Sequence, residues 1–138
     1  MKLYTDLSAL TSDAFGQMLD IFYPLCDKVS IYFPNDCEEP VTAFKNKFLS
    51  ATELCEIEDE LAVLEPKEGF SMVIASIDSP SVQSLLKEIN SSFHLSFGLI
   101  KDELLVFFVG EEGEIAIDVE DASIINNPLF DSCTKVNE

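Results

Sequence analysis

The chain has no arginine and no tryptophan, a single histidine and only eight lysines in 138 residues. Without arginine there is no planar bidentate fork for phosphate or carboxylate groups, which leaves only lysine point charges to hold an anionic substrate. The five glycines (16, 69, 98, 110 and 113) form no phosphate-cradling loop, and Gly110 with Gly113 suits a hairpin turn. No stretch approaches the roughly 20 apolar residues of a membrane-spanning helix. The start, Met1-Lys2-Leu3-Tyr4-Thr5-Asp6, meets an acid before any run of signal-peptide length, so a cytoplasmic location is expected. Four scattered cysteines (26, 37, 55 and 133) show no paired short spacing and read as reduced thiols rather than a disulfide framework or a zinc site.

What is abundant is acid. Twenty-six Asp and Glu give a formal charge of −18. The excess is even: residues 1–69 hold 14 acids and 5 lysines, residues 70–138 hold 12 and 3, so each half stands at −9. A surface negative throughout repels nucleic acid and anionic lipid and steers basic partners toward itself. Beside it stand 47% hydrophobic residues and 11 Phe, enough for a packed core, so the charge does not imply disorder. The length suits one domain.

The longest unrelieved apolar run is Leu104-Leu105-Val106-Phe107-Phe108-Val109, closed by Gly110-Glu111-Glu112-Gly113. A strand apolar at every position reads as covered on both faces, which makes this the expected central strand. Phe93, Leu95, Phe97 and Leu99 alternate before it, and Ile115, Ile117 and Val119 after it, so 93–119 reads as an antiparallel meander joined by tight turns. Upstream, Ser12-Asp13 offers a helix cap ahead of the stripe Phe15, Met18, Leu19, Phe22, and Pro24 ends that helix. Residues 29–33 alternate as a strand, and Val41, Phe44 and Phe48 mark a short helix. A second helix capped by Ser50 or Thr52 places Leu54, Ile57, Leu61 and Leu64 on one face. A strand over 70–77 and a helix over 80–89 then lead into the meander, and this strand–helix–strand order makes a mixed sheet the expectation. The fold class is therefore α+β: a single domain over 1–138, a mixed, mainly antiparallel sheet with helices packed on it, and an irregular tail at 122–138.

No catalytic signature emerges. His94 shares a strand face with Ser96 and Gly98, and nothing around Cys37 or Cys55 suggests a thiol it could activate. At this density of acid, carboxylate pairs arise by chance, and the acids of 53–60 lack calcium-loop spacing. No enzyme activity, cofactor or metal is expected. The informative acids are those in clusters: Glu53, Glu56, Glu58, Asp59 and Glu60 on one helix face, Glu111, Glu112 and Glu114 at the hairpin turn, and Asp118, Glu120 and Asp121 beyond it. Like charges at helical spacing cost a few tenths of a kcal/mol per pair, so a role other than helix stability is sought for them. Solvated acid also promotes solubility; the sharper expectation is that these eleven residues contact a basic protein.

Small size, one α+β domain and strong acidic bias without catalytic apparatus resemble bacterial immunity proteins of polymorphic and contact-dependent toxin systems. That resemblance is one of composition over the whole chain. It implies a cytoplasmic inhibitor of a cognate basic toxin, commonly a nuclease, acting by occlusion of its active site or substrate groove. The order strand 70–77, helix 80–89, strands 93–100 and 104–109 is also similar to acidic homodimeric chaperones of type III secretion effectors, although their long C-terminal helix is missing. A DNA-mimic inhibitor, with carboxylates standing for phosphates, is a third option.

Overall fold

The computed structural model describes residues 2–34, 41–52, 70–90, 93, 95–119, 124 and 126–136. The strands are β1 (Lys2–Asp6), β2 (Lys28–Pro34), β3 (Phe70–Ser76), β4 (Ser96–Lys101), β5 (Leu104–Val109), β6 (Glu114–Asp118) and β7 (Thr134–Val136). The helices are α1 (Ser12–Phe22), α2 (Val41–Thr52) and α3 (Pro80–Leu86). All strands join one seven-stranded sheet in the order β3-β2-β4-β5-β6-β1-β7, so β5 is indeed central. No described helix is long and apolar enough to cross a membrane.

The α+β class holds, but the sheet is not mixed: every described strand pair is antiparallel. The 70–100 unit does give two strands running the same way, β3 and β4. Strand β2 lies between them and is antiparallel to both, so the parallel pair never forms. Two further strands extend the sheet beyond the meander. β1, whose Lys2-Leu3-Tyr4-Thr5-Asp6 carries only two apolar residues, pairs with β6, and β7 pairs with β1. The stretch 122–138 therefore holds an ordered strand and a 3-10 turn at Pro128–Phe130 rather than a wholly irregular tail.

One sheet face is closed by helices. Across six strands Ala75, Val29, Leu99, Phe107, Ile117 and Leu3 lie in register, each almost wholly buried. Thr11 caps α1 by accepting from the Ala14 N–H at 3.0 Å, one residue ahead of the expected Ser12. The α1 stripe then sets Phe15 edge-on to Phe97 at 6.4 Å and Phe22 at 5.2 Å from Phe107. Helix α2 runs on through Ser50, one of the two residues expected to cap a new helix, and ends at the other, Thr52; the expected second helix lies outside the described residues. Its Phe44 and Phe48 lie 6.2 and 5.7 Å from Phe33, on that same sheet face. Tilted and edge-on ring pairs of this kind add about 0.5–1.5 kcal/mol each beyond area burial.

Helix α3 begins at Pro80, where Ser79 accepts from the Val82 N–H. The Tyr23 hydroxyl, just past the end of α1, donates to the Gln83 carbonyl at 2.8 Å, and Gln83 Nε2 ties α3 back to the end of β3 by donating to the Ile77 carbonyl at 2.7 Å. Lys87 pairs with Asp20 at 2.6 Å across the same gap.

Candidate partner-binding surface

The opposite sheet face is crossed by no described helix. Ile74, Ser30, Gly98, Phe108, Ala116 and Tyr4 lie in register across it. Along this row Ile74 and Gly98 are buried, Ser30, Phe108 and Ala116 are half-buried, and Tyr4 is 41% exposed. The run Leu104–Val109 is thus not covered on both faces: Phe107 is fully buried, whereas Leu104 and Leu105 are 64% and 49% exposed.

A β-bulge causes the exposure of Leu105. The register pairs Leu99 with Phe107 but Ile100 with Leu105, so Val106 has no opposite residue. In a regular strand Leu105 and Phe107 would share a face; one extra residue reverses that, because side chains alternate with period two. Leu105 is turned onto the open face and lies over Gly98, where a Cβ would collide with it.

The same bulge opens the sheet. β5 pairs with β6 only from Phe107 to Val109, so Leu105 and Val106 face Asp118 and Val119 across an unpaired notch. A cleft of about 360 Å³ sits there, lined by Phe22, Leu104, Leu105, Val106, Val119 and Ile124, with Leu25, Lys101, Asp102 and Asp118 at its rim. A shallower hollow of about 160 Å³ continues onto the open face past Tyr4, Phe108 and Ala116. The two share Leu105, Val106 and Asp118, so they adjoin at the notch, the cleft reaching Phe22 and Leu25 on the helix side and the hollow lying on the open face; together they make up the trough.

Two carboxylates, Asp102 and Asp118, and two lysines, Lys2 and Lys101, line this trough. Asp102 and Glu103 form the two-residue turn between β4 and β5, and both have positive φ, 49° and 68°. Asp118 sits opposite Lys2 in the β1–β6 ladder. Glu111 and Glu112 are exposed at the far end of β5, roughly 17 Å away at about 3.3 Å per residue. Glu114 faces Asp6 across the ladder. Asp6 spends its carboxylate on the backbone and hydroxyl of Ser8, which hold its pKa below the usual value.

Of the eleven acids expected from sequence, Asp118 is the one placed at the trough, and Glu111, Glu112 and Glu114 form a separate group. Glu53, Glu56, Glu58, Asp59, Glu60, Glu120 and Asp121 lie outside the described residues, as do Cys37, Cys55 and His94. Sequence reasoning missed Tyr4, Asp102, Leu104 and Leu105 as surface features.

Among the described residues no three of His, Cys, Asp and Glu converge as a metal site would require. Cys26 and Cys133 are buried thiols. Burial, helped by the Asp27 charge and opposed by Lys101, pushes Cys26 up to about 11. Burial also raises Cys133, against Lys135 and a hydrogen bond with Thr5.

These features define an α+β domain with one sheet face covered by helices and one that no described helix crosses. No protein-family model matches the chain, and no curated protein or solved structure is similar to it.

Proposed function

We propose that this chain is a non-enzymatic acidic binding protein that captures a basic protein, and that it acts as an immunity protein against a basic toxin, a nuclease in the first instance. The observation that carries the reading is the open apolar trough at the centre of the sheet, rimmed by carboxylates, on a chain of charge −18. Stable protein interfaces combine an apolar, well-packed centre with a polar rim. Here the centre would be Tyr4, Leu105 and Phe108 with Leu104 at the adjoining end of the notch, and the rim Asp102, Glu103 and Asp118, facing lysines and arginines that a nuclease uses to hold its substrate. The field of the whole molecule would accelerate encounter, by one to three orders of magnitude in the best cases.

The test is to express the product of the reading frame immediately upstream together with this chain, scoring rescue of growth and measuring association kinetics. Rescue is expected, with an association rate that falls at least tenfold between about 0.05 and 0.5 M salt as the Debye length shrinks. Charge reversal at Asp102, Glu103 and Asp118 together should cost more affinity than reversal at the exposed Asp78, Glu88 and Asp131, which changes net charge equally. Equal losses, or affinity indifferent to salt, would refute electrostatic capture.

The open apolar face also favours a second reading, an acidic homodimeric chaperone. Two chains at −18 repel each other, which weighs against it. Sedimentation showing a dimer at micromolar concentration would restore it.

A further inference from the structure

We infer that the notch between β5 and β6 seats one large apolar side chain of the partner, flanked there by lysine or arginine, and that this anchor sets the lifetime of the complex. The inference rests on the reading of the chain as a binder of a basic protein, and it adds the chemistry of the bound residue.

Three observations lead to it. The notch is the place where the sheet opens inward, because the Val106 bulge ends the β5–β6 ladder at Phe107. Its cleft of about 360 Å³ stands at the small end of ligand-sized cavities, about 300–1,000 Å³, and is walled by aliphatic and aromatic side chains. An apolar side chain entering it loses water on several sides at once, the setting in which interface hot spots form.

The charges at the mouth choose what accompanies that side chain. Asp102 and Asp118 stand at the rim and Glu103 completes the adjoining turn; Lys2 and Lys101 oppose them. Three carboxylates against two ammonium groups at the mouth, on a chain of charge −18, favour a cationic neighbourhood around the anchor.

A second copy of this chain is disfavoured as the occupant, because two chains at −18 repel, although exposed Tyr4 and Val136 stand beside Lys2 and Lys135. Its other apolar residues among cations are in Phe44-Lys45-Asn46-Lys47-Phe48 of α2. Both phenylalanines there are buried against Phe33, so neither is available to a neighbour.

Capture and retention then separate. The diffuse acidic field governs association, whereas desolvation of one anchor in the notch governs dissociation.

The test uses the full chain and synthetic pentapeptides, followed by amide chemical shifts. The probes have a central phenylalanine flanked by lysines, a central glycine flanked by lysines, or a central phenylalanine flanked by glutamates. The lysine–phenylalanine peptide is expected to shift Leu104, Leu105, Val106 and Val119 and to bind at least tenfold tighter than its glycine analogue, about 1.4 kcal/mol. Leu104→Ala with Leu105→Ala should erase that difference; both side chains are largely exposed, so the core stays intact.

Equal binding of the phenylalanine and glycine peptides would overturn the anchor while leaving electrostatic capture standing. Failure of both lysine peptides to bind would overturn capture itself. Binding of the glutamate-flanked peptide as tightly as the lysine-flanked one would overturn the cationic specificity. Concentration-dependent shifts of Leu104–Val106 without peptide would identify the occupant as a second copy and likewise overturn the inference.

Discussion

Replacing Glu103 by glycine should stabilise this protein, although most substitutions destabilise. Lys101 pairs with Leu104, so Asp102 and Glu103 are the entire turn between β4 and β5, and both stand at positive φ. That is the backbone of a mirror-image hairpin turn, for which aspartate followed by glycine is among the preferred pairs. Asp102 already fits: aspartate visits the left-handed region more readily than most residues, because its short side chain bonds locally. Glu103 has no such help, and its Cβ crowds the following carbonyl at a cost of roughly 1–2 kcal/mol. Glycine removes that cost but gives back about 0.5–1 kcal/mol by enlarging the freedom of the unfolded chain. The difference spans roughly 0–1.5 kcal/mol with a middle value of about 0.75 kcal/mol, or roughly 2–4 °C in Tm for a chain of this length. Urea unfolding followed by circular dichroism would show the gain as a raised midpoint at unchanged slope. Loss of a carboxylate from so acidic a chain could also stabilise, so Glu103→Gln is the control. It removes the charge and keeps the Cβ. If Glu103→Gln gains as much as Glu103→Gly, or if Glu103→Gly is neutral, backbone strain at this turn is refuted.

Two neighbouring side chains of the same strand should behave oppositely. Phe107→Ala removes a fully buried ring that meets Phe15 and Phe22, with an expected loss of about 3–5 kcal/mol, whereas Leu105→Ala on the open face should cost less than about 1 kcal/mol. Similar losses in urea unfolding would mean the bulge does not separate them. The buried thiols make a prediction at alkaline pH. Cys26 holds its proton to about 11 when folded and releases it from about pH 9 when unfolded. Above pH 9 the unfolded state therefore binds fewer protons, and the Cys26 contribution to stability is complete below that pH and lost as pH rises toward 11. The raised Tyr23 hydroxyl, buried first and then repelled by Asp20, acts in the same direction from its ordinary value of 10 upward. In a Cys37→Ser/Cys55→Ser background, Ellman's reagent at pH 8 should label Cys26 and Cys133 only as fast as the protein opens. Stability measured from pH 8 to 11 should fall less in Cys26→Ala, and an unchanged slope would contradict the burial of this thiol.

The elements most legible in the sequence are those whose apolar period is interrupted by polar residues. α1, α3, β2 and β6 each carry a stripe or alternation that names their buried face, and each lies where that pattern puts it within a residue or a few. β1 was hidden because Lys2-Leu3-Tyr4-Thr5-Asp6 buries only Leu3 fully. Its strand state depends on β6 and β7 on either side, partners more than a hundred residues away. The antiparallel sheet was hidden for a related reason: nothing local in 70–100 reveals that β2 will insert between β3 and β4. At the site, Asp118 was visible as one acid among many, but the trough was not.

The reason lies in Leu104–Val109 itself. Alternation assigns faces only when polar residues mark one of them, and this run has none. With Phe107 and Val109 inside, regular pairing from the two-residue turn would set Val106 opposite Leu99, one residue out of phase. An all-apolar strand absorbs that mismatch as a bulge without leaving any trace in composition. It leaves Leu105 outward, Val106 unpaired and the ladder to β6 unfinished. The positive-φ turn, the bulge, the notch and two exposed leucines thus all occur at one end of one strand. Each departs from what stability alone favours, and departures of this kind concentrate where a surface is shaped for something else. A shorter, regular hairpin tests the coupling: deleting Val106 while substituting Glu103→Gly should keep Ile100 opposite Leu105 and Leu99 opposite Phe107, restore pairing to β6 and raise stability, with Leu105 still on the open face. If the trough is the docking surface, that better-folded protein should also lose its partner. Retained binding in a variant whose notch has closed would show that the irregular end of β5 is a tolerated defect and that the acids at other positions do the binding.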